Sequence, residues 1–448
     1  MALSKNPYRG TRDFFPPQKR ERDYIFAQMR KAAESFGYEP YDGPLLEEVE
    51  LYKAKSGEEL IRDQIYSFVD RGGRNVAIRP EMTPTLARMA AQIYRTSPLP
   101  LRLYAIPNLM RYEKPQKGRL REHWQFNCDI FGASEVSAAL EILQLACHLL
   151  TSFGATSKDF TILFNHRQAI DLIFQKFMQL DAAKAYQLYK LVDRVKKISP
   201  AAFDEQLAAL NLGAAAEAIF REYLQVKDFA GALDLLTKYQ DRAPQEVEKF
   251  ITFGRQFTAL AKELQLTDYL RYDPIIVRGL DYYTGIVFEI FDLNPENPRA
   301  ISGGGAYANL LQIFGEGPLT GVGFGLGDVT LADFLHAHKL IPDFSLPQND
   351  ILITIQDERC LGLLQHLAAF WRAQGAKVIT HFEPIKINKV FPLAEKRGAK
   401  WVALLGEKEL SENSVQVKNM ATREQLNLAI ADQAALKDFG QKMQVSAN

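Results

Sequence analysis

Apolar positions recur along this chain at different spacings, and each change of spacing marks a change of architecture. From Met1 to about Phe164, short apolar runs alternate with helical periodicity and turn residues. Gln64–Asp70 and Arg102–Asn108 read as strands, and Thr83–Arg95 between them reads as a helix. From Asn165 to about Leu270 the strand-type alternation disappears. Ile170, Phe174 and Phe177 form one helical stripe, Leu188, Val192 and Val195 a second, and Phe250, Phe253, Phe257, Leu260 and Leu264 a third. Stripes at this spacing are core positions, so the stretch reads as an all-helical insertion.

Strands return at Pro274. Ile275–Asp292 reads as two strands joined across a Gly-Leu-Asp turn, followed by strands at Arg299–Ser302 and Gly321–Leu326. Asp328 is placed to N-cap a helix running to about His338. Beyond residue 350, the apolar runs Ile351–Ile355, Lys377–Thr380 and Trp401–Gly406 are separated by helical stretches, a βαβ alternation that predicts a small parallel α/β domain.

Length and charge narrow the possibilities. A chain of 448 residues suggests two or three domains. Lys+Arg and Asp+Glu both number 54, which excludes a polybasic coat for nucleic acid but not contact through local patches. Residues 351–448 carry 13 Lys+Arg against 10 Asp+Glu, a mildly basic tail. The three cysteines form no C-x-x-C pair and suit neither a disulfide framework nor a zinc knot. There is no apolar run of membrane-spanning length and no leader pattern, so a cytoplasmic protein with no membrane partner is expected.

Chemistry concentrates in a few segments. Arg111, Lys114, Lys117, Arg119 and Arg121 crowd a hairpin loop marked by Pro115 and Gly118, a pattern suited to phosphate-rich ligands. A solvated hairpin tip is the plain alternative. Gln125 and Asp129 lie four apart on the returning arm, hence on one face of a strand, which favours a pocket. Arg278–Gly285 (RGLDYYTG) sets an Arg, an Asp and two Tyr within an otherwise apolar run, which packing alone does not require. Gly303–Ala308 fits the letters of a dinucleotide-binding turn, with Asp328 downstream, but the context is not a βαβ unit. A tight turn that brings backbone close to a ligand fits better. His336 and His338 are two apart on the predicted helix, so their rings diverge and no metal site is expected.

These segments together resemble the histidyl-tRNA synthetases. RGLDYYTGIVFE resembles the family's signature peptide, RGTRDFFP its N-terminal stretch, RPEMTPT its histidine-binding strand, and RYEKPQKGRLREHWQFNCDIFG its motif 2. The C-terminal stretch is similar to the family's anticodon-binding domain. The resemblance implies a class II α+β catalytic domain with an antiparallel sheet (1–164 and 271–340), a helical insertion (165–270) and a C-terminal α/β anticodon-binding domain (346–448). It implies ATP-dependent attachment of L-histidine to tRNA(His) through histidyl-adenylate, with Mg²⁺ escorting ATP and a homodimer as the assembly. By this resemblance Arg111 and Arg278 are catalytic and bind ATP with Glu113. Glu81, Thr83 and Gln125 hold the α-ammonium group, Asp129 and Tyr283 read the imidazole, and Tyr282 closes the pocket. Lys117, Arg119 and Arg121 face the tRNA acceptor end.

Two departures stand out. Ala306 and Ala308 replace the usual Arg and Asp after the Gly pair, and the motif 3 arginine that contacts the γ-phosphate falls near Thr330. His123 and the motif 2 loop are then the candidates for clamping pyrophosphate. These losses keep a second reading open, a catalytically silent histidine-sensing regulatory subunit of ATP phosphoribosyltransferase, although that regulator lacks the C-terminal domain. A plain RNA-binding module leaves RGLDYYTG unexplained.

Overall fold

The computed structural model describes residues 3–53, 60–277 and 283–445. They divide into two compact units, one formed by the chain up to Asp13 together with Arg22–Ile341, the other by Phe14–Glu21 together with the chain from Pro342.

The first unit is built on a nine-stranded sheet. Its strands are β1 (Glu39–Pro40), β2 (Leu101–Ala105), β3 (Glu122–Phe131), β4 (Phe160–His166), β5 (Leu270–Tyr272), β6 (Ile286–Asp292), β7 (Ala300–Tyr307) and β8 (Gly321–Gly327), in the order β1-β2-β3-β8-β7-β6-β4-β5, with a short strand Asn108–Met110 pairing on β3. The pairs inside the sheet are antiparallel, and only the edge pairs β1–β2 and β4–β5 are parallel. Strict alternation sorts the residues. Phe126, Cys128 and Ile130 of β3, with Val322, Phe324 and Leu326 of β8, join a core against the helix α1 (Glu135–Ser152). Ser134 caps that helix, accepting from Ser137 N–H at 3.2 Å. Gln125, Asn127 and Asp129 therefore project from the opposite face.

That face is emptied by glycine. Gly303 lies opposite Gly325, and Gly305 opposite Gly323, while Gly323 in turn lies opposite Asp129 and Gly325 opposite Asn127. A Cβ on Gly304, pointing to the other side, would sit 2.2 Å from the Gly323 carbonyl and 2.7 Å from the Phe288 ring. The Gly303–Ala308 segment is thus a sheet strand and not the tight turn its composition suggests. These glycines serve close approach between strands and neighbouring side chains.

Two further expectations are corrected. Ile275–Val277 is not a strand. The Ile276 amide closes a turn on the Asp273 carbonyl at 3.1 Å, and Val277 buries in the helical core. The Asp273-Pro274 turn follows directly on β5, so the apolar run supplies core contacts instead of pairing. The rest of that predicted turn falls outside the described residues. Asp328 is the first residue of its helix rather than the cap. Its carboxylate accepts from the Trp124 amide at 2.9 Å and from Arg12 at 2.7 Å.

Between β4 and β5 the chain is helical, including α2 (Ala182–Asp193) and α3 (Pro244–Glu263). Ile170, Phe174, Phe177, Leu188, Val192 and Phe250 meet in one core, while Phe257 turns into the core of the sheet. The helix stripes are packing surfaces.

In the second unit β9 (Asn349–Ile355) lies parallel to β10 (Val378–Pro384) and β11 (Ala399–Leu405), with α4 (Leu361–Arg372) between β9 and β10. The expectation of a parallel sheet is met only there. β12 (Ser414–Asn419) and β13 (Gln425–Ala429) extend it antiparallel, giving the order β10-β9-β11-β12-β13. They alternate too briefly, next to Asn and Thr turns, to stand out in sequence. Trp371, Trp401 and Phe439 fill the core, and the Trp371 indole donates to the Leu436 carbonyl at 3.0 Å.

Gly304→Ala is expected to lower the unfolding free energy by about 1–3 kcal/mol through overpacking. Gly317→Ala, where nothing lies within 4 Å of the new methyl, leaves it nearly unchanged. Denaturant unfolding of the two variants measures the contrast, and equal stability would contradict the packing argument.

Candidate active site

The glycine face is the floor of a cleft of about 850 Å³. Gln125, Asn127 and Asp129 of β3 line it with Gly303, Gly323 and Gly325. A Cβ at Gly323 would stand 2.0 Å from an Asp129 carboxylate oxygen, and one at Gly325 would stand 2.6 Å from the Gln125 amide carbon. A Cβ at Gly305 would meet the Tyr283 ring at 2.7 Å. Each glycine makes room for a polar side chain lying across the sheet.

One wall comes from the segment before the helix Thr83–Ile93. Buried Arg79 fixes it, donating to the carbonyls of Asn108 at 2.9 Å and Gly43 at 2.7 Å. Buried Glu81 and half-buried Thr83 then face the cleft. Arg111 lines the same wall, its Nε donating to the Pro80 carbonyl at 2.8 Å, which sets the plane of the guanidinium. Glu113 and Arg119 come from the loop between the hairpin arms. They make an ion pair at 2.6 Å that is a contact of charge and not an aligned hydrogen bond.

A set of carboxyl and phenol groups is buried together at the floor. Glu81, Asp129 and the hydroxyls of Tyr283 and Tyr307 lie deep. Tyr307 donates a very short hydrogen bond to Asp129. Burial raises the Asp129 carboxyl to about 7, against the opposing pull of that hydrogen bond. His123 moves the other way, down to about 3. Burial dominates, and Arg111, Arg12 and Arg119 add to it. Without a bound anion to offset those arginines, its uncharged form is the favoured one.

Of the residues singled out from sequence, Arg111, Glu81, Thr83, Gln125, Asp129, Tyr283, Glu113 and Arg119 share this cleft. Arg278 and Tyr282 lie outside the described residues. Lys117 and Arg121 do not line the cleft. Lys117 donates to the Glu296 carbonyl at 3.0 Å. Arg121 stacks 4.1 Å above the Tyr112 ring and donates to the Tyr8 hydroxyl at 2.8 Å, so its charge serves to pack the hairpin base.

The opposite wall was not anticipated. Arg167, Tyr186, Tyr189, Lys190 and Arg194 reach the cleft from the helical stretch, with the Arg167 guanidinium 3.7 Å from the Tyr189 ring centre and the Lys190 ammonium 4.4 Å from that of Tyr186. For Tyr186, Tyr189, Lys190 and Arg194 the available signal was helical spacing along α2 and its C-cap, beside the Leu188/Val192 stripe, whereas Arg167 follows β4 directly. Tyr307, Asn127 and Glu289 were also missed. Tyr307, with the Gly pair, is what survives of its motif beside Ala306 and Ala308.

Comparison with known proteins agrees with this geometry. The family model described as histidyl-tRNA synthetase matches residues 10–329, and one described as an anticodon binding domain matches residues 350–436. The chain belongs to the histidyl-tRNA synthetase family. The histidine–tRNA ligase of Leptospira biflexa serovar Patoc is 40% identical over 432 residues, covering 96% of this chain and 97% of that one. The histidyl-tRNA synthetase of Nostoc sp. PCC 7120 superimposes with a TM-score of 0.79 at 20% identity, covering 98% of this chain and 100% of that one. A structure from Bacillus halodurans C, titled an ATP phosphoribosyltransferase regulatory subunit/histidyl-tRNA synthetase, gives 0.74 at 20% identity and covers 91% and 99%. The two structures speak to the fold, a class II synthetase sheet with a separate C-terminal domain.

Within the family pattern, Ala306 is buried in the apolar core and pairs with Val322, and the Ala308 amide donates to the Thr284 hydroxyl at 3.0 Å. Neither position carries a charge toward the cleft. Among the described residues no group of three or more His, Cys, Asp and Glu is placed to hold a metal ion.

Asp129 carries a pH signature. Its folded value, about 7, lies above the ordinary carboxylate range, so the native state retains a proton that the unfolded chain has lost. Stability therefore falls as pH rises from about 4 to about 7 and is flat above that. Asp129→Asn is expected to flatten this slope, gaining stability over the parent at pH 8 but not at pH 4. Thermal unfolding of both proteins across that range tests it, and parallel curves would contradict the assignment.

Proposed function

We propose that the cleft activates L-histidine with ATP and passes the histidyl group to the 3′ end of tRNA(His). The observation that supports this most directly is the single cleft that brings buried Glu81, Asp129, Tyr283 and Tyr307 together with Arg111, Arg119 and Arg167. The deep end suits a ligand bearing both an ammonium and an imidazole. Glu81, Thr83 and Gln125 take the α-ammonium group, and Asp129 with Tyr283 reads the ring. An isostere lacking either ring nitrogen would leave a buried group unpaired, which is the strongest form of rejection available to such a site.

Activation is in-line attack of the histidine carboxylate on the α-phosphate, where two anions must approach. The work is positioning and charge neutralisation. Arg111, with its plane fixed by the Pro80 carbonyl, is the α-phosphate ligand on this reading. Arg278 bridges phosphate and carboxylate, and Tyr282 closes the pocket. Glu113 approaches ATP on the same side. Mg²⁺ travels on the triphosphate as part of the substrate. Lys117, Arg119 and Arg121 of the hairpin loop face the tRNA acceptor end, with Lys117 and Arg121 also bracing the hairpin. The C-terminal unit reads the anticodon, the helical stretch 165–270 acts as an inserted module, and two copies form the working dimer.

Histidine-dependent ATP–pyrophosphate exchange followed by tRNA charging tests the proposal. Exchange with histidine alone among the amino acids, and charging of tRNA(His), are expected. No exchange at saturating ATP would leave the silent regulatory reading in its place. Arg111→Ala should slow exchange by about 100-fold or more while leaving the thermal transition in place. Near-parental exchange would remove Arg111 from the machinery.

A further inference from the structure

Arg299 stands at the start of β7, far in sequence from the basic hairpin loop, yet the two are in contact. The loop tip turns at Gln116–Arg119, each closing a backbone hydrogen bond of 2.9 Å on the other. Gly118, at φ +70°, is the residue of closest approach. A Cβ there would lie 2.9 Å from Arg299 Cδ and 3.4 Å from Thr330 Cγ2. The Arg299 stem is thus pressed between the loop tip and Thr330, the position where the motif 3 arginine is missing. Its guanidinium makes no hydrogen bond or ion pair with any described residue.

The charges around it do not balance. Arg119 and Arg299 share one nearby carboxylate, Glu113, which already contacts Arg119 at 2.6 Å. Burial and the Arg119 charge both make the Arg299 cation less comfortable than an ordinary arginine. Arg299 and Lys117 line a second cavity of about 390 Å³, and Arg119 and Glu113 line the main cleft, so the turn contributes residues to both. Three carboxylates line that second cavity as well. Asp292 accepts from Asn297 at 2.8 Å and meets His338 at 2.7 Å, Asp333 feels Lys117 within the cavity, and Glu296 is exposed. Arg299 is half-buried and Arg119 exposed, and two like charges close enough to repel are stabilised by an anion arriving between them.

We propose that Arg299, together with Arg119, binds the distal phosphates of ATP and the pyrophosphate that leaves, supplying from β7 the cation that Thr330 cannot. This rests on the synthetase reading above. Arg299 is a binding residue on this proposal, and it acts before the tRNA step.

The test is ATP–pyrophosphate exchange on the full-length protein, with single-turnover transfer of histidine from preformed adenylate to tRNA as the second readout. Arg299→Ala is expected to raise KM for ATP and for pyrophosphate by about 10- to 100-fold, leaving KM for histidine and the transfer rate unchanged. The double variant Arg299→Ala/Thr330→Arg restores a cation to the same cavity and is expected to recover most of the loss. Unchanged nucleotide and pyrophosphate KM values would overturn the proposal, as would a parallel loss of histidine affinity and transfer. Absence of exchange in the parent protein would overturn the synthetase reading instead, so the two failures are distinct.

Discussion

Everything in the cleft depends on a sheet surface without side chains. At the centre of β7 and β8, glycines on the pocket face let the Asp129 and Gln125 side chains lie over neighbouring backbone, with gaps too small for a methyl group. Glycine weakens a strand, because it gives up more chain entropy on folding and offers nothing to pack. The opposite face compensates. Val322, Phe324 and Leu326 are buried against the helix Glu135–Ser152 and the neighbouring strands. One strand therefore carries the core on its even positions and the site on its odd ones, and the alternation of a single β-strand separates stability from binding.

On that floor acidic and basic groups share one cleft. The deep end holds carboxyl and phenol groups in a setting dry enough to move Asp129 to about 7. Arg111 and Arg119 line the same cleft, and burial, with their field added to it, disfavours a charge on His123. Such a set suits a ligand with a cationic head and an anionic tail. The zero net charge of the chain is consistent with this, since a functional field can come from a few groups held out of water and not from the overall balance.

What the sequence made legible was whatever is periodic or local. The helical stripes through Phe174, Leu188 and Phe250 became core, and Gln125 and Asp129 share a face as two-residue periodicity requires. Glycine misled where composition was read without period. Gly303–Gly305 looks like a turn in isolation, and only its pairing with the alternating Gly321–Gly327 marks it as a strand. Lys117 and Arg121 were grouped with Arg119 because all three are basic. What separates them is a carbonyl at Glu296 and the rings of Tyr8 and Tyr112, partners that local spacing cannot supply. The Tyr186–Arg194 face was visible as a polar stripe, yet nothing local says which surface a polar stripe will meet.

The two cationic ends of the proposed nucleotide site differ in how they are held, and the difference suits the chemistry. Arg111 is tied through its Nε to a backbone carbonyl beside the rigid Arg79 anchor. The reacting phosphate is where a small displacement changes the barrier, so a fixed plane is favoured there. Arg119 and Arg299 are held by a turn tip and by stem packing, with one carboxylate between them. The leaving pyrophosphate must be bound and then released, so a looser pair of cations, already carrying mutual repulsion, resists holding the product too tightly. A rigid clamp at the centre of reaction and a yielding one at its exit stabilise the transition state more than the complexes on either side.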